Sequence, residues 1–215
     1  MKKQTKTSFI ISICLLVTFI LWTIAISFID VMAIGPENSV VGFATINRFF
    51  HNLTGINMDL YTITDWLGLV PIFTCLGFGL LGFAQLIKRK NLLKVDYNIL
   101  VLAGFYISVI VIYILFENIV INYRPILING FLEASYPSST TMLVMTVMPT
   151  TIMQLNSRIK NTVLKRIISI IIIIFILFMV IGRLISGVHW ITDIIGGALL
   201  SAGLVTMYYS VCKLK

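Results

Sequence analysis

Long apolar runs separated by short polar segments make up nearly the whole of this 215-residue chain. Six of the runs are long enough to cross a bilayer as helices, which takes about 20 residues each. The predicted spans are 8–29, 66–87, 97–116, 138–155, 167–186 and 190–212. The pattern therefore predicts an all-α integral membrane protein, a six-helix bundle that forms one domain over residues 1–215.

The composition agrees with a chain embedded in a membrane. Hydrophobic residues make up 59% and charged residues 11% of the sequence, whereas soluble domains carry about 25% charged residues. The first apolar run follows Lys2 and Lys3 and is longer than the core of a secretory signal. We interpret this run as an uncleaved first helix.

Lysine and arginine residues are distributed unequally between the two sides of the predicted helices. Thirteen of the sixteen lie in the termini and connections on one side, and the other side has only Arg48, Arg124 and Arg183. Because positively charged loops stay in the cytoplasm, this asymmetry predicts two cytoplasmic termini and an outer face that carries the three arginines. The net charge of +8 is thus explained by topology and by anionic lipid headgroups, and no nucleic-acid partner is expected.

Two polar segments fall at the outer ends of the third and fourth predicted spans. Arg124 follows the third span, and Pro137 precedes the hydroxyl residues Ser138, Ser139 and Thr140 at the start of the fourth. Proline followed by hydroxyl residues is typical of a helix start, where free backbone amides bind anions. We expect Arg124 and the three hydroxyl residues to bind phosphate, although an interfacial anchor and a simple helix cap are alternatives.

The third polar segment links the fifth and sixth spans and contains Arg183, His189 and Asp193. Ionisable residues beside membrane spans are costly and mark functional sites. His189 and Asp193 are four residues apart and share a helix face. A carboxylate there can accept the Nδ1 proton and leave Nε2 free to attack phosphorus, while Arg183 binds phosphate oxygens. A buried ion pair without chemistry is the alternative.

These segments resemble the motifs of the type 2 phosphatidic acid phosphatase family, which read Lys-x6-Arg-Pro, Pro-Ser-Gly-His and Ser-Arg-x5-His-x3-Asp. Arg183, His189 and Asp193 match the third motif in type and spacing. Arg124 with its proline matches the end of the first motif, and Ser138 with its proline matches the start of the second. The resemblance implies a six-helix membrane phosphatase in which His189 forms a phosphohistidine, Asp193 orients it and the arginines bind phosphate.

The first motif departs from the family pattern at Glu117, which stands where the family has its lysine. Three interpretations remain open. Glu117 faces away and pairs with Arg124 or Arg48, or it acts as a protonated replacement acid, or it bridges to phosphate through a divalent cation.

The second motif has Ser139 in place of glycine and Thr140 in place of the histidine that protonates the leaving group. The other histidine of the chain, His51, is either part of an interfacial aromatic cluster or a replacement acid. An alkoxide needs a proton to leave, but a phosphate, whose second pKa is about 6, departs unprotonated. The departure therefore favours a polyprenyl diphosphate, such as undecaprenyl diphosphate, over phosphatidic acid.

The sequence thus predicts a lipid phosphate phosphohydrolase, multi-pass in the plasma membrane of a bacterium, that uses a lipid phosphate or diphosphate and neither cofactor nor metal. Two alternatives share its features. A phosphotransferase would pass the phosphoryl group from His189 to another lipid or glycan, and a catalytically impaired member would bind a lipid phosphate without turnover.

Overall fold

The computed structural model describes residues 3–214, except for the side chain of Lys3. Met1, Lys2 and Lys215, two of which belong to the predicted basic set, lie outside the described residues. Within this range the chain forms eight α-helices, one two-stranded antiparallel hairpin and two 3-10 turns, at Pro36–Asn38 and Leu92–Lys94. The elements are α1 (Lys3–Phe28), β1 (Met32–Ala33), β2 (Val40–Val41), α2 (Ala44–Thr54), α3 (Met58–Leu67), α4 (Leu69–Arg89), α5 (Tyr97–Asn118), α6 (Ser139–Arg158), α7 (Thr162–Ile185) and α8 (Ile191–Cys212).

Five helical stretches of the described chain are long and apolar enough to cross a membrane. They are Gln4–Phe28, Met58–Arg89, Tyr97–Asn118, Thr162–Ile185 and Ile191–Cys212. The predicted fourth span corresponds to α6, which has 20 residues but a more polar sequence. Because α6 packs between α7 and α8 and buries its threonines and Gln154, it needs no continuous apolar surface toward lipid. The predicted all-helical membrane bundle is confirmed.

The predicted second span begins later than expected and is preceded by a separate helix. A break at Gly68 divides the stretch into α3 and α4, so the long helix covers 69–89 instead of 66–87. The connection that spans residues 30–65 contains the β1–β2 hairpin, α2 and most of α3, which pack over the end of the bundle and contribute side chains to the site.

Two apolar clusters hold the bundle together. The first joins α1, α5 and α8 through buried residues that include Phe19, Leu102 and Tyr208. The second joins α6 to α7 through Val144, Met179 and their neighbours. Helix α8 lies on the inside of the first cluster and α6 on the inside of the second. The polar residues of these two helices are therefore kept away from lipid.

Consecutive long helices run in opposite directions, so the bundle has two distinct ends. At one end Asp96 pairs with Arg89 at 2.9 Å, and Gln154 donates to the carbonyl of Asn98 at 3.0 Å. The other end gathers the α5–α6 connection, the α7–α8 connection, α2 and α3. The three predicted polar segments all fall at this second end.

Gly187 allows the α7–α8 connection to lie against the α2–α3 connection. Its φ is +68°, and an added Cβ would lie 1.9 Å from the carbonyl oxygen of Gly55. We expect Gly187→Ala to lower stability by more than the ~1–2 kcal/mol that left-handed backbone alone costs a residue with a Cβ. Thermal unfolding in detergent micelles measures this loss. The control is Gly104→Ala, at an open position on α5, which should be neutral or slightly stabilising; equal stability of the two variants would contradict the close approach.

Candidate active site

Asp193 lies fully buried in the first turn of α8 and accepts hydrogen bonds from three residues, two in the α5–α6 connection and one directly before α8. Its Oδ2 accepts from the Ser135 hydroxyl at 2.5 Å and from the Trp190 backbone amide at 3.0 Å. Its Oδ1 accepts from the side-chain amide of Asn122 at 3.3 Å. A buried carboxylate is stable only when such donors surround it, so Asp193 fixes the α5–α6 connection against the start of α8.

His189 lies directly before α8, with 3% of its surface exposed. The sequence predicts a direct bond from its Nδ1 to Asp193, but Nδ1 lies 3.9 Å from Oδ2 of Asp193, beyond hydrogen-bond distance. The partner of Nδ1 is the Ser135 hydroxyl, at 3.0 Å. Ser135 therefore lies between the two residues that the motif pairs.

Burial lowers the pKa of His189 to about 4. The neighbouring Asp193 carboxylate opposes this shift, and the positive charges of Arg124 and Arg183 add to it. Desolvation prevails because the ring is removed from water. His189 is therefore neutral near pH 7, which leaves one ring nitrogen with a lone pair.

Arg183 is almost completely buried in the last turn of α7, against α3. Its Nη1 donates to the carbonyl of Tyr61 at 3.4 Å and to the hydroxyl of Thr64 at 3.3 Å. Its Nη2 pairs with Asp65 at 3.4 Å. Gly182, where the family motif has serine, allows this packing, because a Cβ there would lie 2.8 Å from the Thr64 methyl group.

Arg124 approaches the same place from the α5–α6 connection. Its Nε lies 3.1 Å from Oε2 of Glu133, so its partner is Glu133 and not Glu117. Its guanidinium carbon lies 5.9 Å from the ring centre of Tyr61, over which Arg183 also lies at 4.7 Å. The two arginines thus converge on one aromatic ring of α3.

The first turn of α6 adds hydroxyl groups to this end of the bundle. The backbone amide of Ser138 donates to the carbonyl of Asp193 at 3.1 Å. Ser138, Thr140 and Thr141 are buried, whereas Ser139 is half-buried. Thr141 was not among the predicted phosphate-binding residues, and its position one turn into the helix beside Ser138 is the signal that points to it.

Several buried polar atoms at this end have no hydrogen-bond partner anywhere in residues 3–214. Such atoms are rare in native proteins and call for an explanation. They include Nε2 of His189, Nη1 of Arg124, Nε of Arg183, Oγ of Ser138 and Oγ1 of Thr141. Guanidinium and hydroxyl groups are donors that bind phosphate oxygens, and the imidazole nitrogen is a nucleophile.

Glu117 lies at the end of α5 with an exposed side chain that interacts with Tyr113. It lines the same small cavity as His189 and Ser135. The described chain contains no group of three or more His, Cys, Asp and Glu side chains arranged to hold a metal ion. The proposed cation bridge through Glu117 therefore has no set of protein ligands around it.

His51 lies on α2 and packs against the loop that carries His189. Its ring donates to the backbone of Gly187 and lies 5.5 Å from the ring of Trp190. Burial lowers its pKa. The indole of Trp190 in turn donates to the carbonyl of Tyr123 at 2.8 Å. These contacts favour the interpretation of His51 as part of an aromatic cluster.

An apolar groove leads from the start of α6 along the side of the bundle. Its upper part, about 440 Å³, is lined by Asp65, Ser139, Thr140 and apolar residues of α4 and α5. Its lower part, about 610 Å³, continues between α4, α5 and α6. The two parts share Ile72, Val109, Ile110 and Leu143, so an acyl or prenyl chain can follow the groove to the polar end.

A multi-pass helical membrane protein with a cluster of buried, unpaired polar groups at one end is the class that this fold and geometry define. Residues 118–214 match the PAP2 superfamily. The chain also has the fold of "the first transmembrane PAP2 type phosphatidylglycerolphosphate phosphatase from Bacillus subtilis", at 16% identity and a TM-score of 0.67 over 94% of this chain and 96% of that one. No curated protein matches the chain significantly. The candidate site residues from Arg124 to Asp193 thus lie in a segment that matches the PAP2 superfamily, and the chain as a whole has the fold of a solved PAP2-type membrane phosphatase.

The lowered pKa of His189 predicts a stability that falls with acid. An unfolded histidine takes up its proton near pH 6.5, whereas folded His189 does so only near pH 4. Between these values the unfolded state binds more protons, so the folded state loses up to about 3 kcal/mol as the pH falls through this window. Thermal unfolding measured from pH 7 to pH 4 should show a smaller loss for His189→Gln, and equal pH dependence of both proteins would contradict the burial effect.

Proposed function

We propose that this chain is a lipid phosphate phosphohydrolase in which His189 carries the phosphoryl group. The observation that carries the proposal is the state of its Nε2: buried, neutral, and without a protein partner within the described chain. It lies beside two arginines whose guanidinium groups retain unused donors. A nucleophile and the donors for its electrophile are thus present together.

In the first step of the proposed reaction, the lone pair of Nε2 attacks phosphorus and an N–P bond forms. The bond from phosphorus to the leaving oxygen breaks, and that oxygen keeps the electron pair. Arg124 and Arg183 bind the equatorial oxygens, where negative charge is concentrated in phosphoryl transfer. The Ser138 hydroxyl and the first amides of α6 add neutral donors at the positive end of a helix.

In the second step, water attacks phosphorus and the N–P bond breaks. The electron pair returns to Nε2, and orthophosphate leaves with the oxygen of the water. His189 is then neutral again, and the proton lost by water passes to phosphate or solvent. A phosphotransferase would differ only in the group that attacks the phosphohistidine, so product analysis separates the two reactions.

We propose a lipid diphosphate as the preferred substrate class. Thr140 stands where the family's proton donor would lie, and its hydroxyl is a poor acid. A leaving lipid phosphate needs no proton, whereas an alkoxide leaving from a monoester does. The long apolar groove fits a prenyl or acyl chain, and a polyprenyl diphosphate such as undecaprenyl diphosphate combines both features. The similar Bacillus subtilis protein is titled a phosphatase of phosphatidylglycerolphosphate, which makes that monoester the natural comparison substrate.

We infer that the site faces the outside of a bacterial plasma membrane, because the lysine and arginine residues cluster at the opposite end of the bundle. Glu117 acts in this scheme as a modulator at the cavity that it shares with His189. Its carboxylate repels anions, which weakens the binding of orthophosphate and favours its release.

His189→Ala should lower lipid diphosphate hydrolysis by at least about 10³-fold, because the nucleophile is lost. The assay is phosphate release by purified protein in mixed micelles, with His51→Ala as the matched control that retains activity. Radiolabelled diphosphate should label the wild-type protein, in an acid-labile and base-stable form, and not the His189→Ala variant. Lipid binding without turnover in both proteins would identify a binding protein and contradict the proposal.

Thr140→His should raise the rate on a phosphomonoester lipid, because it restores a proton donor worth about 10²–10⁴-fold. The rate on a lipid diphosphate should change little. The measurement is the ratio of the two kcat/KM values, and the control is Thr62→His, at an exposed position on α3. A wild-type protein that cleaves monoesters as fast as diphosphates would refute the proposed substrate class.

A further inference from the structure

We propose that Ser135 is a positioning residue that connects His189 to Asp193 and selects the ring nitrogen that reacts. The inference rests on the proposed function only in taking His189 as the nucleophile. Ser135 is 3% exposed, and its hydroxyl lies 3.0 Å from Nδ1 of His189 and 2.5 Å from Oδ2 of Asp193. The two motif residues themselves are 3.9 Å apart, so the serine mediates their contact.

The direction of the two hydrogen bonds follows from the other partners of Asp193. The Trp190 amide and the Asn122 side-chain amide are donors, so the carboxylate acts as an acceptor toward both. A serine hydroxyl has one proton. Ser135 therefore donates to Asp193 and accepts from Nδ1–H of His189.

This arrangement fixes the tautomer of the imidazole. With its proton held on Nδ1, the neutral ring has its lone pair on Nε2, which is buried and has no partner within the described chain. When Nε2 bonds to phosphorus the ring becomes positively charged, and the chain through Ser135 connects that charge to the carboxylate. The Nδ1 proton stays in place throughout, so Ser135 and Asp193 orient the ring and stabilise its positive charge without transferring a proton.

The backbone holds Ser135 in this position. Its amide donates to the carbonyl of Asn122 at 2.9 Å, and the side chain of Asn122 contacts Asp193. Serine at this place thus belongs to the same hydrogen-bonded unit as the carboxylate that it serves. Replacement by alanine would leave Nδ1–H without its acceptor and would allow the ring to adopt the other tautomer, with its proton on Nε2.

The tautomer can be measured without any assay of turnover. The chain has two histidines, so ¹⁵N-histidine labelling gives two pairs of ring-nitrogen signals, and His51→Gln assigns them. At pH 7 the wild-type His189 ring should be in the Nδ1–H form, and Ser135→Ala should shift it toward Nε2–H. An Nε2–H ring in the wild type, or an unchanged ring in Ser135→Ala, would overturn the inference. If Ser135→Ala does not fold, the wild-type tautomer still decides.

A kinetic cycle tests the same unit in the active protein. Ser135→Ala should lower kcat about 10–100-fold, as loss of an orienting partner typically does, with KM little changed. The double variant Ser135→Ala/Asp193→Asn should be no slower than Asp193→Asn alone, because both substitutions interrupt the same hydrogen-bonded unit. If the two losses of kcat multiply in the double variant, the inference is overturned. The control is Ser201→Ala, a buried serine of α8 that bonds to Gly197 and should leave kcat unchanged. If Ser135→Ala shifts the tautomer of His189 but the wild-type protein shows no turnover, the proposed function is rejected and the positioning role of Ser135 stands.

Discussion

The burial of one carboxylate organises the rest of this structure. Asp193 is inaccessible to water and would be unstable there without donors. Its donors are Asn122 and Ser135, which lie in the α5–α6 connection, and Trp190, which directly precedes α8. The segments that supply them must therefore come together at one end of the bundle. The hydrogen bonds that hold His189 and Asp193 together through Ser135 therefore belong to the same set that folds the connections at this end of the bundle.

The two buried arginines are likewise charged groups that are stabilised by partners elsewhere in the chain. Arg183 is fixed by Tyr61, Thr64 and Asp65 of α3, and Arg124 is fixed by Glu133. Each is held by its own partners, yet each keeps a donor that the protein does not use. Rigid guanidinium groups with unused donors would lose little freedom on binding an anion, which is the preorganisation that the proposed phosphate site requires. The cost of holding two like charges near each other is offset by the acidic partners Asp65 and Glu133.

Much of the fold could be predicted because charge is so costly in a bilayer. Apolar runs located the six long helices, and the spacing of His189 and Asp193 predicted the candidate site. What the sequence could not indicate were contacts between segments remote in the chain. Ser135 is not one of the motif residues that the sequence pairs. The contribution of α3 was not predicted, because residues 30–65 were interpreted as a connection between helices. Helix α6 was predicted as an apolar span, but it is more polar than the other long helices, because enclosure by α7 and α8 removes the need for an apolar face.

The groove between α4, α5 and α6 has a consequence for how such a protein meets its substrate. A lipid whose tail lies in the groove while its phosphate reaches the start of α6 never leaves the bilayer. The encounter then takes place in two dimensions, and the quantity that governs saturation is the mole fraction of the lipid in the membrane. Dilution with other lipids, at constant bulk concentration, would slow the reaction as effectively as removing substrate from a soluble enzyme.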